Sequence, residues 1–303
     1  MQRVLIAGCG YLGQATADVL QSAGCEVEGL TSSSESAREL LAKPYRVDAL
    51  DISNARQVAA CAGNFDAVVH CASTRGGNVD LYRSVYLIGT RNLLDRFPEA
   101  KILFSSSTSV YAQSNGEWVT EESPAEPKHE TGKILREAEQ LVLARGGNVA
   151  RLGGIYGPGR SFLLKKFLGG EAIVDPQRDR FVNQIHRDDG AAALFFLVDR
   201  QSPGGGIYNV VDDQPILQSE CYHWLAERLN RPVPPLGRST SKRKRGESNK
   251  RVSNAKLRAL GWVPRYSTFE EAMGKSILPT FPGRNSELPG KLSGTSQRDV
   301  PTA

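Results

Sequence analysis

The stretch Val4-Leu5-Ile6-Ala7-Gly8-Cys9-Gly10-Tyr11-Leu12-Gly13 joins a short apolar strand to the start of a helix. The three glycines have separate roles, since Gly8 makes the tight turn, Gly10 lets the backbone approach a pyrophosphate, and Gly13 lets the helix pack on the sheet. The helix N-terminus then directs its N–H groups and its dipole at the phosphates. A glycine turn without a ligand is the alternative, but the flanking strand and helix favour a dinucleotide-binding loop.

Short β-rich runs alternate with amphipathic segments of helix length over the first half of the chain. The predicted strands are Arg3–Ala7, Glu26–Leu30, Asp66–His70, Lys101–Phe104 and Asn148–Arg151. Two segments show one apolar face each at helical spacing, through Leu12, Ala15, Val19, Leu20 and Ala23, and through Ile134, Leu135, Ala138, Leu141 and Val142. The pattern predicts an α/β fold, a Rossmann-type doubly wound parallel sheet with a smaller C-terminal lobe.

The distribution of Gly- and Pro-rich stretches along the chain suggests three parts. Residues 1–154 form the predicted dinucleotide-binding domain, and residues 155–275, which contain GPGR, PGGG and PVPP, form the smaller lobe. Chain segments are expected to cross between the two. Residues 276–303 have no apolar period and many Pro, Gly and Ser residues, so we expect a disordered tail there.

The composition is that of an ordinary globular protein, with 40% hydrophobic and 23% charged residues among 303. No apolar run approaches the roughly 20 residues that span a bilayer, and the N-terminus lacks the pattern of a signal peptide. Five scattered cysteines without a C-x-x-C pair favour reduced thiols, and four histidines show no metal-ligand spacing. We expect a cytoplasmic protein with neither a metal nor a membrane partner.

The net charge of +5 comes largely from residues 238–251, RSTSKRKRGESNKR. A solvated loop and a nucleic-acid patch both fit such a run. It has no interleaved aromatic residues and no adjoining nucleic-acid-binding motif, so we expect no nucleic-acid partner.

The end of the second strand predicts which cofactor is bound. An acidic residue there favours NAD because it bonds the ribose 2′-hydroxyl. This chain has hydroxyl residues at that point, including Thr31 and Ser32, and no carboxylate until Glu35. Hydroxyl groups and the nearby Arg38 suit a 2′-phosphate, so the cofactor is NAD(P) with a preference for NADP.

Six further segments resemble the extended short-chain dehydrogenase/reductase family, also called the NAD-dependent epimerase/dehydratase family. They are Leu50–Ile52, His70–Ser73, Gly89–Leu94, Phe104–Tyr111, Arg151–Gly159 and Ile185–Asp189, and the match covers about residues 1–275. The loop GCGYLG and the overall length look most like an atypical bacterial branch. The resemblance implies that Ser107 is the active-site serine. It also implies cofactor contacts from Gly8, Gly10, Tyr11, Leu12, Gly13, Thr31, Ser32, Asp51, Ile52, Cys71, Ala72, Ser73, Lys133, Leu152 and Ile155.

The chain departs from that family at the catalytic tyrosine. The family pairs Tyr with a Lys four residues later, and here His129 precedes Lys133 by four residues. Tyr86 replaces the family's active-site asparagine. If the helix includes residue 129, the two side chains share a helix face, and His129 could exchange the proton. Tyr111 and Tyr156 are the other phenols that could serve.

These observations predict an NAD(P)-dependent oxidoreductase or epimerase/dehydratase-like enzyme. Its substrate would be a small hydroxyl- or carbonyl-bearing molecule, with a nucleotide sugar as one class. Arg160 and His186 would line the substrate cleft between the lobes, where ligands meet the carboxyl ends of the strands. The alternative is a non-catalytic NAD(P)-binding sensor or regulatory partner, which the lost tyrosine favours. A homodimer is the expected assembly.

Overall fold

A computed structural model describes residues 1–74, 76–198, 204–238 and 248–281. The strands are β1 Arg3–Ala7, β2 Glu26–Thr31, β3 Arg46–Ala49, β4 Ala67–His70, β5 Lys101–Ser107, β6 Glu117–Val119, β7 Asn148–Leu152, β8 Gly154–Tyr156, β9 Phe181–Val182, β10 Gln184–His186, β11 Ile207–Val210, β12 Ile216–Leu217 and β13 Lys250–Val252. In the described part of the chain, seven of them form one parallel sheet in the order β11-β7-β5-β4-β1-β2-β3. The predicted doubly wound fold is confirmed.

Helices cover both faces of this sheet, and others pack together in a third core beside it. They are α1 Tyr11–Ser22, α2 Ser34–Glu39, α3 Ala55–Ala59, α4 Val79–Tyr82, α5 Gly89–Arg96, α6 Glu130–Ala144, α7 Phe162–Leu168, α8 Arg187–Val198, α9 Gln218–Arg228, α10 Ala255–Ala259, α11 Phe269–Ala272 and α12 Leu278–Thr280. A π-helical segment, Arg83–Ile88, joins α4 to α5. The apolar faces of α1 and α8 bury one core and those of α5 and α6 bury the other. The strand order reverses between β1 and β4, and a doubly wound sheet binds its ligand at that point.

Three short two-stranded sheets, β8 with β10, β9 with β12, and β6 with β13, lie outside the large sheet within the described ranges. A third core packs α7 and α9 against the helical turns of residues 269–281. Both α8 and β11 follow residue 155 and yet belong to the layers of the large sheet. The lobes predicted at 1–154 and 155–275 therefore share chain segments.

The start of the predicted tail needs correction. Residues 273–280 are helical, and Ile277 and Leu278 are buried in the third core because they pack against α7 and α9. The expected disorder therefore does not begin at residue 276. Residues 282–303 and the basic run Lys242–Arg245 lie outside the described residues. None of the helices in the described segments is long and apolar enough to cross a bilayer.

Candidate cofactor site and active site

Gly8 turns the chain out of β1 in a conformation that only glycine adopts easily. Its φ is +108°, and a Cβ there would lie 2.2 Å from the backbone nitrogen of Ala72. The amides of Gly8 and Cys9 donate to the Leu30 carbonyl at 3.0 and 2.8 Å, which ties the loop to β2. The loop is thus pressed between the carboxyl ends of β2 and β4.

Gly10 differs from the other two glycines of the loop. It is the N-cap of α1 with an ordinary φ of −87°, and a Cβ there would meet nothing within 4 Å. A Cβ at Gly13, in contrast, would lie 2.1 Å from the Gly8 carbonyl oxygen. The fold itself therefore requires Gly8 and Gly13, whereas Gly10 keeps open the space in front of a helix N-terminus. That space and the first-turn N–H groups of α1 fit a pyrophosphate.

Two thiols lie beside this loop without adding negative charge. Burial raises the pKa of Cys9 to about 12 and that of Cys71 to about 12, so both stay protonated at neutral pH. Cys9 packs under the loop against Gly29, where a Cβ would lie 2.4 Å from its Sγ. An anion at the loop would therefore meet no thiolate.

The side chains predicted to contact the adenosine end lie on the loops after β2 and β3. Ser32 is exposed beside Thr31, and the Nε of Arg38 donates to the Ser34 carbonyl at 3.2 Å. A carboxylate oxygen of Asp51 accepts from the amide and the hydroxyl of Ser53 at 2.9 and 2.8 Å. Next to Asp51, Ile52 is buried against Gly89, which has no side chain to displace it.

Tyr11 ties the glycine loop to the segment that follows β8. Its hydroxyl donates to the Pro158 carbonyl at 3.0 Å, and the guanidinium carbons of Arg160 and Arg187 each lie 5.2 Å from its ring centre. Two cations therefore stand beside the first residue of α1, and one of them, Arg187, already pairs with the Asp188 carboxylate at 2.8 Å. Arg187 belongs to the segment Ile185–Asp189, but that segment does not predict its approach to Tyr11, which depends on tertiary structure.

Three consecutive serines end β5 at the edge of the sheet, and only Ser107 keeps its proton available. The Ser105 hydroxyl donates to the His70 carbonyl at 2.7 Å, and Ser106 donates to Glu139 at 2.6 Å. The Ser107 oxygen accepts from the Ser109 amide at 3.1 Å. Among the described residues, none accepts the Ser107 proton, so this half-buried hydroxyl can bond a ligand.

The predicted pair of His129 and Lys133 is not formed as expected. Helix α6 begins at Glu130, and His129 is its exposed N-cap with extended backbone, so the two side chains do not share a helix face. The Lys133 ammonium instead pairs with Glu130 at 2.7 Å, and 54% of its side chain is exposed. This helix start is the physical reason why a spacing of four residues does not bring these groups together.

A buried ionic network occupies Tyr111, one of the alternative phenols. Its hydroxyl accepts from Arg151 at 2.8 Å and donates to Asn209 at 3.0 Å. Arg151 in turn holds both carboxylate oxygens of Glu139 at 3.0 and 2.7 Å, and Arg136 adds a further ion pair to Glu139. Tyr111 is buried, and burial raises its pKa, so the phenol stays protonated while both of its hydrogen bonds are used inside the protein. Tyr156 is also buried, and burial raises its pKa.

Removal of the Glu139 charge should strongly destabilise the protein. Glu139→Gln leaves Arg151 buried without its counterion, and we expect a loss of about 3–5 kcal/mol in the free energy of unfolding, measured in urea. Glu130→Gln is the matched control, because its partner is exposed and the change should cost under about 1 kcal/mol. Equal losses in the two variants would contradict this interpretation of the network.

His186 is placed differently from the prediction that it lines an open cleft. It is fully buried, its Nε2 lies 3.0 Å from the Ser276 hydroxyl, and its Nδ1 accepts from the Asp188 amide at 3.2 Å. Burial lowers its pKa to about 4, so the ring is neutral at pH 7. The contact with Ser276 joins β10 to the helical turns of residues 273–280. Arg160, the other predicted substrate residue, is exposed beside Tyr11.

The remaining predicted contacts lie along the carboxyl edge of the sheet. Leu152 ends β7 directly opposite Ser107 in the ladder between β5 and β7. Ile155 follows in β8 and is half-buried. Ala72 touches the glycine loop, and Ser73 is exposed beside it. The structure thus brings the glycine loop, the β4 end, Ser107 and the β7 end to one edge of the sheet.

Known proteins resemble this chain in sequence and in fold. The model of the NAD dependent epimerase/dehydratase family matches residues 4–210. Protein YeeZ from Escherichia coli is 28% identical over 255 residues, which cover 79% of this chain and 88% of that protein.

Solved structures extend the likeness to most of the chain. A Methylobacillus flagellatus protein, provisionally described as an NAD-dependent epimerase/dehydratase, is 31% identical with a TM-score of 0.75, over 90% of this chain and 96% of that one. UDP-glucose 4-epimerase from Thermus thermophilus, in complex with NAD, has a TM-score of 0.78 at 22% identity, over 93% and 99% of the two chains. At 22% identity the likeness concerns the fold.

Proposed function

Because the chain belongs to the NAD-dependent epimerase/dehydratase family, we propose that it is an NAD(P)-dependent enzyme acting on a small hydroxyl- or carbonyl-bearing substrate. The observation that carries the proposal is the open space at Gly10, in front of α1 and at the switch point of the sheet. The protein atoms themselves leave room for a side chain at Gly10, so glycine at this position is explained by a ligand that occupies the space.

The cofactor would extend along the carboxyl edge of the sheet. Residues 8–13 would hold the pyrophosphate, Asp51 and Ile52 the adenine, and Cys71, Ala72, Ser73, Leu152 and Ile155 the nicotinamide half. Bound there, the nicotinamide supplies the oxidation or reduction of the substrate carbon. Lys133 would reach the adjoining ribose after exchanging its partner Glu130 for the ribose hydroxyls. Because that ion pair is exposed, breaking it costs little.

In this proposal, Ser107 and His129 both act on the substrate oxygen, one by a hydrogen bond and the other by exchanging a proton. Ser107 stands opposite Leu152 with its O–H available, so it would hold the reacting oxygen by a hydrogen bond. His129 would exchange the proton from the loop that enters α6, directly or through a water molecule. Since His129 is exposed, it would have to turn towards the site when substrate binds.

A nucleotide sugar is the substrate class that the comparisons support, since the Thermus thermophilus neighbour is a UDP-glucose 4-epimerase. NADP is the cofactor that the loop after β2 supports. Ser32 and Ser33 lie at that loop, Arg38 follows on α2, and residues 29–34 between the end of β2 and Glu35 contain no carboxylate.

The direct test is a fluorescence titration of the protein with NADPH and with NADH. We expect both to bind, NADPH more tightly by about ten- to a hundredfold, because one charge-assisted hydrogen bond is worth roughly 1.5–3 kcal/mol. Arg38→Gln should remove that preference, whereas Arg56→Gln, an exposed arginine on α3, should keep it.

Binding of neither dinucleotide would overturn the proposal. If NADPH and NADH bind the wild type equally well, and Arg38→Gln changes neither affinity, only the preference for NADP is refuted. The non-catalytic sensor is favoured instead if the cofactor binds tightly but a panel of nucleotide sugars gives no change in nicotinamide absorbance and no epimerised product.

A further inference from the structure

Asp212 is a buried acid that the proposed mechanism does not use. It lies two residues after the end of β11, and it is 2% exposed. Neither of its carboxyl oxygens has a hydrogen-bond partner, and no ion pair joins it to a cation in the described part of the chain. A carboxyl group removed from water is costly unless it is hydrogen-bonded or neutralised, so the cost of burying Asp212 must be offset in another way.

Two further buried polar groups without partners belong to the strand pair β8 and β10. They are the Tyr156 hydroxyl and the Gln184 side-chain nitrogen, on residues that are 4% and 6% exposed. Tyr156 is the ladder partner of His186, and the two ring centres lie 6.0 Å apart. Because side chains alternate along a strand, Gln184 and His186 point to the same face of β10. Gln184 and Tyr156 therefore share one face of this strand pair.

Asp212 lies beside that face. Its backbone amide donates to the Gln184 carbonyl at 2.7 Å, which holds the loop after β11 against β10. Asp212 is also the charged group that acts most strongly on the pKa of Tyr156 and on that of Cys221, and both of these residues belong to the third core. Its carboxyl group therefore lies close to Tyr156, and unpartnered groups from three segments of the chain meet at one place.

The surroundings of Asp212 favour its uncharged form. Burial raises the pKa of this carboxyl well above its usual range, and the negative charges of Asp213 and Asp189 add to the rise. The Gln214 amide opposes the rise, although it makes no hydrogen bond of ordinary geometry with either oxygen. Arg258 pairs with Asp213 at 3.8 Å and not with Asp212. Asp212 is therefore a carboxylic acid with a proton to donate at neutral pH.

The titratable groups that couple to Asp212 supply no positive charge. Among the described residues they are Tyr156 on β8, Asp189 on α8, Cys221 on α9 and Asp213 in the same loop. His186 on β10 lies next to Tyr156, and burial lowers its pKa to about 4, so it is neutral at pH 7. A ligand that bonds the three unpartnered groups therefore needs no charge.

A water molecule fits the three groups because it both donates and accepts. It can accept hydrogen bonds from the Gln184 N–H and from the Asp212 O–H, and it can donate to the Tyr156 oxygen. Buried water molecules in proteins typically make about three such bonds. A metal cation fits less well, because it requires oxygen ligands and a carboxylate charge, and the Gln184 N–H would point at it.

We propose that Asp212, Tyr156 and Gln184 bind a buried water molecule, to which Asp212 donates as an uncharged carboxylic acid. The water would join β8, β10 and the loop after β11 by hydrogen bonds, where the large sheet meets the smaller lobe. Strand β8 also carries Ile155, so the water would help to fix the segment that follows Leu152. The proposal does not depend on the proposed function, because it requires neither the cofactor nor the substrate.

A high-resolution crystal structure of the full chain tests the water directly. We expect electron density for one water molecule within about 3.2 Å of polar atoms from at least two of the three residues. Absence of that density would overturn the proposal, and so would direct hydrogen bonds among the three side chains that leave no room for a water.

Tyr156→Phe tests the same site through the melting temperature. The variant should melt about 2 °C or more below the wild type, because the water loses one of its hydrogen bonds. In a dry site, the same change would remove an unpartnered hydroxyl group, and the melting temperature would stay equal or rise. An equal or higher melting temperature for Tyr156→Phe therefore contradicts the proposal.

Asp212→Asn tests the uncharged carboxyl, since asparagine keeps the size and the hydrogen bonding but cannot ionise. An aspartate in the unfolded chain ionises above about pH 3.9, whereas Asp212 in the folded chain keeps its proton, so the wild type loses stability relative to the variant as the pH rises. We expect similar melting temperatures near pH 4 and a variant that melts about 3 °C or more higher at pH 7. Asp95→Asn, which changes an exposed carboxylate, is the matched control and should follow the wild type at both pH values.

A lower melting temperature for Asp212→Asn than for the wild type at pH 7 would overturn the uncharged carboxyl. If sodium or potassium chloride also stabilised the wild type more than choline chloride of equal ionic strength, the three groups would hold a cation instead of a water. Should Asp212→Asn fail to fold, the crystal structure and Tyr156→Phe decide the proposal without it.

Discussion

We expect Gly10→Val to abolish dinucleotide binding while changing the free energy of unfolding by no more than about 1 kcal/mol. Valine can adopt the φ of −87° found at this position, and its Cβ would meet no protein atom within 4 Å. The added side chain would instead fill the space in front of α1 that the pyrophosphate needs. Titration with NADPH and NADH, together with urea unfolding, measures both effects.

Gly8→Ala is the matched control for this variant, because it alters the same loop for the opposite reason. Its φ of +108° and the Ala72 backbone 2.2 Å from an added Cβ should cost at least about 3 kcal/mol of stability. The pair thus separates a glycine needed by the ligand from one needed by the fold. Wild-type cofactor affinity in Gly10→Val would show that the open space does not hold the phosphates.

Ser107→Ala should lower turnover by about 10²–10³-fold once a substrate is identified, with cofactor affinity nearly unchanged. The reason is that Ser107 alone of the three β5 serines keeps its proton for a ligand. His129→Ala should lower turnover less, because an exposed N-cap residue reaches the substrate only after a rearrangement. His129→Tyr should keep or raise turnover by restoring the phenol found in the family.

The control for these kinetics is Ser105→Ala, whose hydroxyl is already bonded to the His70 carbonyl. Its turnover should stay close to that of the wild type. Full activity in Ser107→Ala would remove this serine from the mechanism. A loss of about 10²–10⁴-fold in His129→Ala would identify His129 as the acid, despite its exposed position.

Much of the fold was predictable from local sequence because its signals are local. The glycine loop, the five predicted strands and the two amphipathic helices depend on apolar spacing and on glycines at fixed positions. The end of α1 is an example, since Gly24 adopts a φ of +83° directly after it. The short strands β3 and β11 were missed, because β3 (RVDA) is half charged and β11 (IYNV) is only four residues long.

The candidate site was less predictable because it depends on partners distant in sequence. A glutamate on a helix is normally exposed, yet Glu139 is buried by Ser106 and Arg151, which lie 33 and 12 residues away. The spacing of His129 and Lys133 was correct for a helix that in fact begins one residue too late.

Helix α8 and strand β11 belong to the layers of the large sheet but are synthesised late, and this affects folding during synthesis. While synthesis is still at residue 200, β7 has no neighbour on one side, since β11 pairs with it only through residues 207–210. The nascent protein would therefore present an unpaired strand edge, which invites wrong partners. The Asn209 contact that completes the Tyr111 network forms at the same late point. The N-terminal half, cut out alone as a minimal cofactor-binding fragment, would keep that open edge for its whole lifetime.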